Sequence, residues 1–157
     1  MSKYNSIAVF YGSDSSEWEV ACRSGEFTAS RIDETRYDVY QIFARFGKWE
    51  LVACRKKNSM RVVFPEGARP EVDKTDCSVN VLGEKIKFDF VYIMQHGTPG
   101  ENGLLQGYFE MLGIPFSSCS ASSGRAPALS RLPRSAIAPF ASCAASGPVP
   151  MPSQSSR

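Results

Sequence analysis

The apolar residues of this chain fall into short runs separated by hydroxyl, acidic and glycine clusters, and two of those runs are nearly uninterrupted. Ile7 to Gly12 (IAVFYG) and Phe88 to Gln95 (FDFVYIMQ) read as strands buried on both faces, as in a parallel sheet. The stretch SDSSEWEVACRSGEFTASRIDE opens with hydroxyl and acidic residues and sets Val20, Phe27 and Ile32 at mixed helical spacings, which predicts a helix. Two start signals compete there, Ser16 with Glu19 and Asp14 with Glu17, each in capping-box spacing. Tyr37 to Ala44 alternates and is rich in β-formers. Trp49 to Arg55 and Met60 to Phe64 flank the basic loop RKKNS as a hairpin, and Glu66 to Lys87 reads as turns. After Gln95 come HGTPGENG, a helix from about Glu101 to Leu112, Gly113 as its C-cap and a short strand, Ile114 to Ser117. This order predicts an α/β domain with an open, mostly parallel sheet and flanking helices.

Ligands of such sheets sit beyond the carboxyl ends of the strands, where Tyr11–Glu17 and His96–Gly103 both lie. In the second loop Gly97, Gly100 and Gly103 give backbone freedom, Pro99 stiffens one turn, and Glu101 or Asn102 can cap the following helix. A helix N-terminus beside His96 suits a carboxylate or phosphate. The competing reading is a tight strand-to-helix turn whose histidine bonds neighbouring backbone. Glu19 fits the ordinary role of an acid in a first helical turn. Glu17, nearer the strand end, is placed to hold an ammonium group, so Glu17 and His96 together suit a zwitterion. Trp18 and Trp49 read as packing residues, and Arg55 to Lys57 as a solvated hairpin tip, since no aromatic interleaving marks a nucleic-acid surface.

Composition narrows this further. With 157 residues, 43% of them hydrophobic, the chain supports one domain with a real core. No apolar run reaches membrane-spanning length and the N-terminus lacks signal-peptide features, so a cytoplasmic protein without membrane association is expected. Five scattered cysteines, none in a CxxC pair, argue for reduced thiols rather than a disulfide framework or zinc site. Charge divides along the chain. Residues 1–119 hold all 16 acids beside 14 Lys and Arg, whereas the last 38 residues hold four Arg and no acid, so the basicity belongs to the tail and does not indicate nucleic acid. Residues 120–157 are dominated by Ser, Ala and Pro without periodicity, and disorder is expected there. Such a tail is either a natural linker or basic anchor or the product of a shifted reading frame. The abrupt change favours the shifted frame.

Two stretches, IAVFYGSDSSEWEV with RSG and FVYIMQHGTPGENGLLQGYFEMLGIPF, carry a resemblance to the N-terminal domain of the D-alanine–D-alanine ligases, ATP-grasp enzymes of peptidoglycan synthesis. The resemblance covers roughly residues 5 to 119 and implies a Rossmann-like pre-ATP-grasp domain over residues 1–119. It implies further that Glu17, the candidate catalytic residue, orients the ammonium of the first D-alanine, that Val20 lines its pocket and that His96 and Gly97 lie near its carboxylate. Gly100, Glu101, Asn102 and Gly103 then form the loop and helix start. The family more often has a second glycine where Tyr11 or Ser13 stands, serine at Ala21 and aspartate at Asn102. In this family ATP and Mg²⁺ are held by later domains. The resemblance therefore implies no metal or nucleotide on this chain, an inactive isolated fragment, D-alanine as its only ligand, bound weakly if at all, and a homodimer as the family assembly. A stand-alone small-ligand-binding or regulatory domain with a recruiting tail is the alternative, and a biotin-carboxylase-like ligase a third reading that the LQG and LGIP motifs count against.

Overall fold

A computed structural model describes residues 4–118, so the tail and the expectations placed on it lie outside the described residues. Its strands are β1 (Ser6–Tyr11), β2 (Asp38–Arg45), β3 (Lys48–Arg55), β4 (Val62–Val63), β5 (Val72–Asp73), β6 (Ser78–Val81), β7 (Glu84–Lys87), β8 (Phe90–Ile93) and β9 (Phe116–Ser118), with helices α1 (Trp18–Arg31) and α2 (Leu104–Met111). A six-stranded sheet runs in the order β4-β3-β2-β1-β8-β9, and a three-stranded sheet in the order β5-β6-β7. β1 pairs in parallel with β2 and β8, and β8 in parallel with β9, while β3 and β4 add an antiparallel hairpin at one edge. The mostly parallel α/β sheet is therefore as expected.

The two apolar runs lie side by side at the centre because only central strands are covered on both faces. Period-two alternation sends Ile7, Val9 and Tyr11 of β1 to one face, where Ala29 and Ile32 at the end of α1 meet them with Val39, Phe90 and Tyr92. Ala8 and Phe10 face the other way, toward Leu105 and Phe109 of α2 and toward Val79, Val81 and Ile86 of the small sheet. Phe10 joins these layers, its ring edge-on to Trp49 and Phe109 at 5.2 and 5.3 Å.

Four local readings need correction. α1 buries Ala21, Gly25, Thr28 and Ala29, not the larger apolar residues, and Val20 and Phe27 are more than half exposed. The cause is close approach: a Cβ on Gly25 would stand 2.5 Å from the Tyr11 ring, so only a stripe of small residues can face the sheet. Neither capping box forms. Glu17 is the N-cap residue without a side-chain cap bond, and its N–H donates to the Ser15 hydroxyl at 3.2 Å. The turn-like segment Glu66–Lys87 contains the small sheet, whose β6–β7 hairpin turns on Leu82 and Gly83 with φ of 53° and 86°. Positive φ at both loop residues is the primed turn that suits hairpins, but leucine in place of Asn or Asp conceals it in the sequence. Asp76 secures that hairpin through Lys85, Ser78 and Lys87, which hold its carboxyl well below the usual range, Lys85 first. Finally, the basic loop is a clasp and not only a solvated tip. Arg55 pairs with Glu34 at 3.0 Å, Lys56 with Glu84 at 2.8 Å, and Lys57 donates to the Asn5 side chain at 2.8 Å.

Candidate functional site

α1 and α2 leave the carboxyl ends of the neighbouring strands β1 and β8 and pack on opposite faces of the sheet, so their entry loops meet at its rim. The first loop contributes hydroxyls. Ser13 is fully buried, and its Oγ lies 2.5 Å from the His96 carbonyl, 3.2 Å from that of Thr98 and 2.8 Å from Ser15 Oγ, while accepting the Ser15 N–H at 3.0 Å. Ser15 Oγ lies 3.0 Å from the same His96 carbonyl. A hydroxyl has one proton, so Ser13 gives its proton to one carbonyl at a time and Ser15 chooses between His96 and Ser13. The backbone adds Asp14 N–H to Thr98 O at 3.1 Å.

The second loop answers with bare backbone. Gly97 has φ of 76°, and a Cβ there would stand 3.0 Å from Cβ and Oγ of Ser15. At Gly100 a Cβ would collide with the Cβ and carbonyl of Gln95, which is buried and anchored by its amide to Ala44 O at 3.0 Å. The backbone freedom of HGTPGENG thus serves loop-to-loop contact at Gly97, close packing on Gln95 at Gly100 and a left-handed turn into α2 at Gly103.

The His96 side chain is 30% exposed, with Nε2 3.5 Å from Ser24 Oγ and Nδ1 3.9 Å from Glu101 Oε1. Ser24 follows Val20 by four residues and Glu17 by seven, so the three share one stripe of α1, and the contact at Ser24 turns that stripe toward His96. The stripe continues to Glu17 because its φ of −87° and ψ of 13° are near helical and Ala21 N–H already donates to its carbonyl at 3.1 Å. Ser13, Ser15 and Ser24 were not singled out by sequence reasoning. Only the helical spacing of Ser24 from Glu17 could have marked it.

The helix start is displaced from the expectation. α2 begins at Leu104, after Gly103 with φ of 87°, and Glu101 sits before it, reaching back to the imidazole. Asn102 does act at the helix start, its Oδ1 accepting the Leu104 N–H at 3.2 Å. At the other end Gly113 N–H bonds Glu110 O and Ile114 N–H bonds Phe109 O, both at 3.0 Å, the paired pattern of a Schellman stop, so Leu112 is the cap and Gly113 the residue beyond it.

Burial, with Glu26 adding, raises the phenol of Tyr11 far above its ordinary range, so beneath the rim it is a neutral wall and no base. Burial likewise raises the Cys22 thiol, keeping it protonated. Among the described residues no three His, Cys, Asp or Glu converge as metal ligands, and no helix is long and apolar enough to cross a membrane.

Fold and rim together define an α/β domain that carries a carboxylate, Glu17, and an imidazole, His96, beyond the carboxyl ends of its parallel strands. The chain belongs to the family described as D-ala D-ala ligase N-terminus, which matches residues 6–119. It is 46% identical over 114 residues to the D-alanine–D-alanine ligase of Phocaeicola vulgatus and 43% identical over 113 residues to that of Bacteroides thetaiotaomicron, covering 73% and 72% of this chain. The chain spans about a third of those relatives, 32% of each. Among solved structures, the VanG D-Ala:D-Ser ligase of Enterococcus faecalis aligns with a TM-score of 0.57 at 25% identity over 73% of this chain and 35% of that one. D-alanyl-alanine synthetase A of Vibrio cholerae shares the fold with a TM-score of 0.57 at 24% identity, over 76% of this chain and 32% of the other.

Proposed function

We propose that residues 1–119 supply the half-site for the first amino acid of an ATP-dependent D-alanine–D-alanine ligase of peptidoglycan precursor synthesis, and that the chain alone does not ligate. The observation that carries this reading is the contact between Ser24 and His96, which turns the Glu17–Val20–Ser24 stripe toward the only imidazole of the chain. In this role Glu17 receives the ammonium of D-alanine, Val20 faces its methyl group, and His96, held from behind by Ser13 and Ser15 through its carbonyl, stands by the carboxylate. Glu17 and Val20 are exposed, as residues of an open half-site should be.

In the whole enzyme ATP and Mg²⁺ would supply the activation of the carboxylate. The described residues do not fit the metal, because Mg²⁺ requires several oxygen ligands at near-octahedral positions and no acidic group of that kind converges here. The contribution of this chain is therefore binding and orientation of the amino acid.

Calorimetry with D-alanine tests the reading directly. A D-alanine binding component that is lost in Glu17→Ala, with no phosphate release when ATP and Mg²⁺ are added, is the expected result. Sustained turnover by the chain alone, or D-alanine binding indifferent to Glu17→Ala, would overturn it, and the second outcome would favour a stand-alone binding domain.

A further inference from the structure

Away from the rim, α1 and the β2–β3 side of the sheet flank a solvent-open pocket of about 170 Å³ lined by Glu26, Ala29, Ser30, Val39, Gln41, Arg55 and Arg61, of which Glu26, Ser30 and Arg61 are exposed. That is below the roughly 300–1,000 Å³ of sites for drug-sized molecules, so an occupant has only a few non-hydrogen atoms. Glu26 and Ser30 stand one helical turn apart on α1, and Gln41, Arg55 and Arg61 come from the strand side. The buried Ala29 and Val39 add a small apolar surface.

The polar groups are unevenly satisfied. Arg55 spends Nη1 on Glu34 at 3.0 Å and Nη2 on the Ile32 carbonyl at 3.1 Å, which leaves its Nε buried with no acceptor among the described residues. Gln41 is only 8% exposed, and its Oε1 accepts from Arg61 Nη2 at 3.0 Å. Arg61, which is exposed, keeps further N–H groups for a ligand. Opposite them, Ser30 gives its proton to the Phe27 carbonyl at 2.7 Å and keeps its lone pairs, and Glu26 has no ion-pair partner among the described residues.

Charge decides the ligand class. Arg55 is balanced by Glu34, so the cavity presents one uncompensated cation, Arg61, and one uncompensated anion, Glu26, on different elements. A simple anion would be repelled by Glu26 and a simple cation by Arg61, whereas a small molecule carrying both charges meets a complement at each end. We infer that this cavity binds a small α-amino acid as its zwitterion. Its carboxylate lies on Arg61 with the Gln41 side chain beside it, its ammonium on Glu26 and Ser30 Oγ, and a hydrogen or methyl side chain against Ala29 and Val39. This second site is separate from the Glu17–His96 rim, and it links α1 to the β3–β4 hairpin.

Calorimetric titration of the full chain with glycine and with L-alanine, performed in the Glu17→Ala background so that the rim cannot contribute, reads the cavity alone. Glycine is expected to bind, and Glu26→Gln and Arg61→Gln are each expected to weaken it about tenfold or more while the melting temperature stays close to that of the parent. Acetate and methylammonium, each half of the ligand, are expected to bind at least about tenfold more weakly than glycine. Absence of saturable glycine binding, binding indifferent to both substitutions, or acetate binding as tight as glycine would each overturn the inference. D-alanine binding lost in Glu17→Ala but intact in Arg61→Gln, with no glycine binding in the Glu17→Ala chain, would remove the cavity site and leave the rim half-site standing.

Discussion

The loop after β1 reaches its neighbour with side chains, the hydroxyls of Ser13 and Ser15, whereas the loop after β8 offers the carbonyls of His96 and Thr98 and keeps its own side chains short where the two meet. The same junction is therefore fragile in different ways on its two sides. Removing a hydroxyl leaves backbone groups unsatisfied but changes no volume. Adding a carbon on the other side crowds Ser15 at Gly97 and the Gln95 backbone of the same loop at Gly100.

The sharpest break of this comparison is Gly100→Val, which drives a branched side chain into Gln95 and is expected to cost about 3 kcal/mol, read as a lowered urea midpoint at unchanged slope. Ser13→Ala comes next at about 2 kcal/mol, because the Ser15 N–H loses its acceptor inside a buried site. Ser15→Ala is partly exposed and is expected to cost about 1 kcal/mol. The double variant should cost less than the sum, since both hydroxyls serve the His96 carbonyl; strict additivity in a double-mutant cycle would mean that the two serines act independently.

The smallest effect lies away from both loops and sharpens the contrast by pH. Asp76 has a carboxyl held low in the folded state by Lys85, Ser78 and Lys87, so its contribution is present above about pH 4 and is lost as the pH falls through the carboxylate range. Asp76→Asn should flatten that acid-side loss slightly, most visibly at low salt, while Ser13→Ala and Gly100→Val keep the parental pH slope. Urea midpoints at pH 7 and pH 3 for the three variants distinguish the cases, and a parental acid response in Asp76→Asn would remove the carboxylate from the account.

Much of the scaffold was legible. IAVFYG and FVYI are apolar on both faces and became the adjacent central strands β1 and β8, since uninterrupted apolar runs have no other stable environment. The glycines of HGTPGENG mark the loop that meets the one after β1 at the carboxyl ends of the central strands. What failed was finer. Val20 and Phe27 satisfy a helical period but lie outside, because Gly25 lets the helix sit so close to Tyr11 that only small residues face the sheet. The β6–β7 hairpin escaped because Leu82 occupies a turn position that usually advertises itself with Asn or Asp.

Sequence alone determined the order of the central strands and both helices, the class of sheet, the place of both loops and the candidacy of Glu17 and His96, because hydrophobic period and glycine spacing are local properties of the chain. Tertiary structure decided which side of α1 faces the core, that Ser24 and Glu101 flank the imidazole, and that two serines stitch one loop to the carbonyls of the other. It also brought Glu26 and Arg61, 35 positions apart, to one cavity. Those outcomes depend on packing distance and on the direction of single donors and acceptors, which no local pattern encodes.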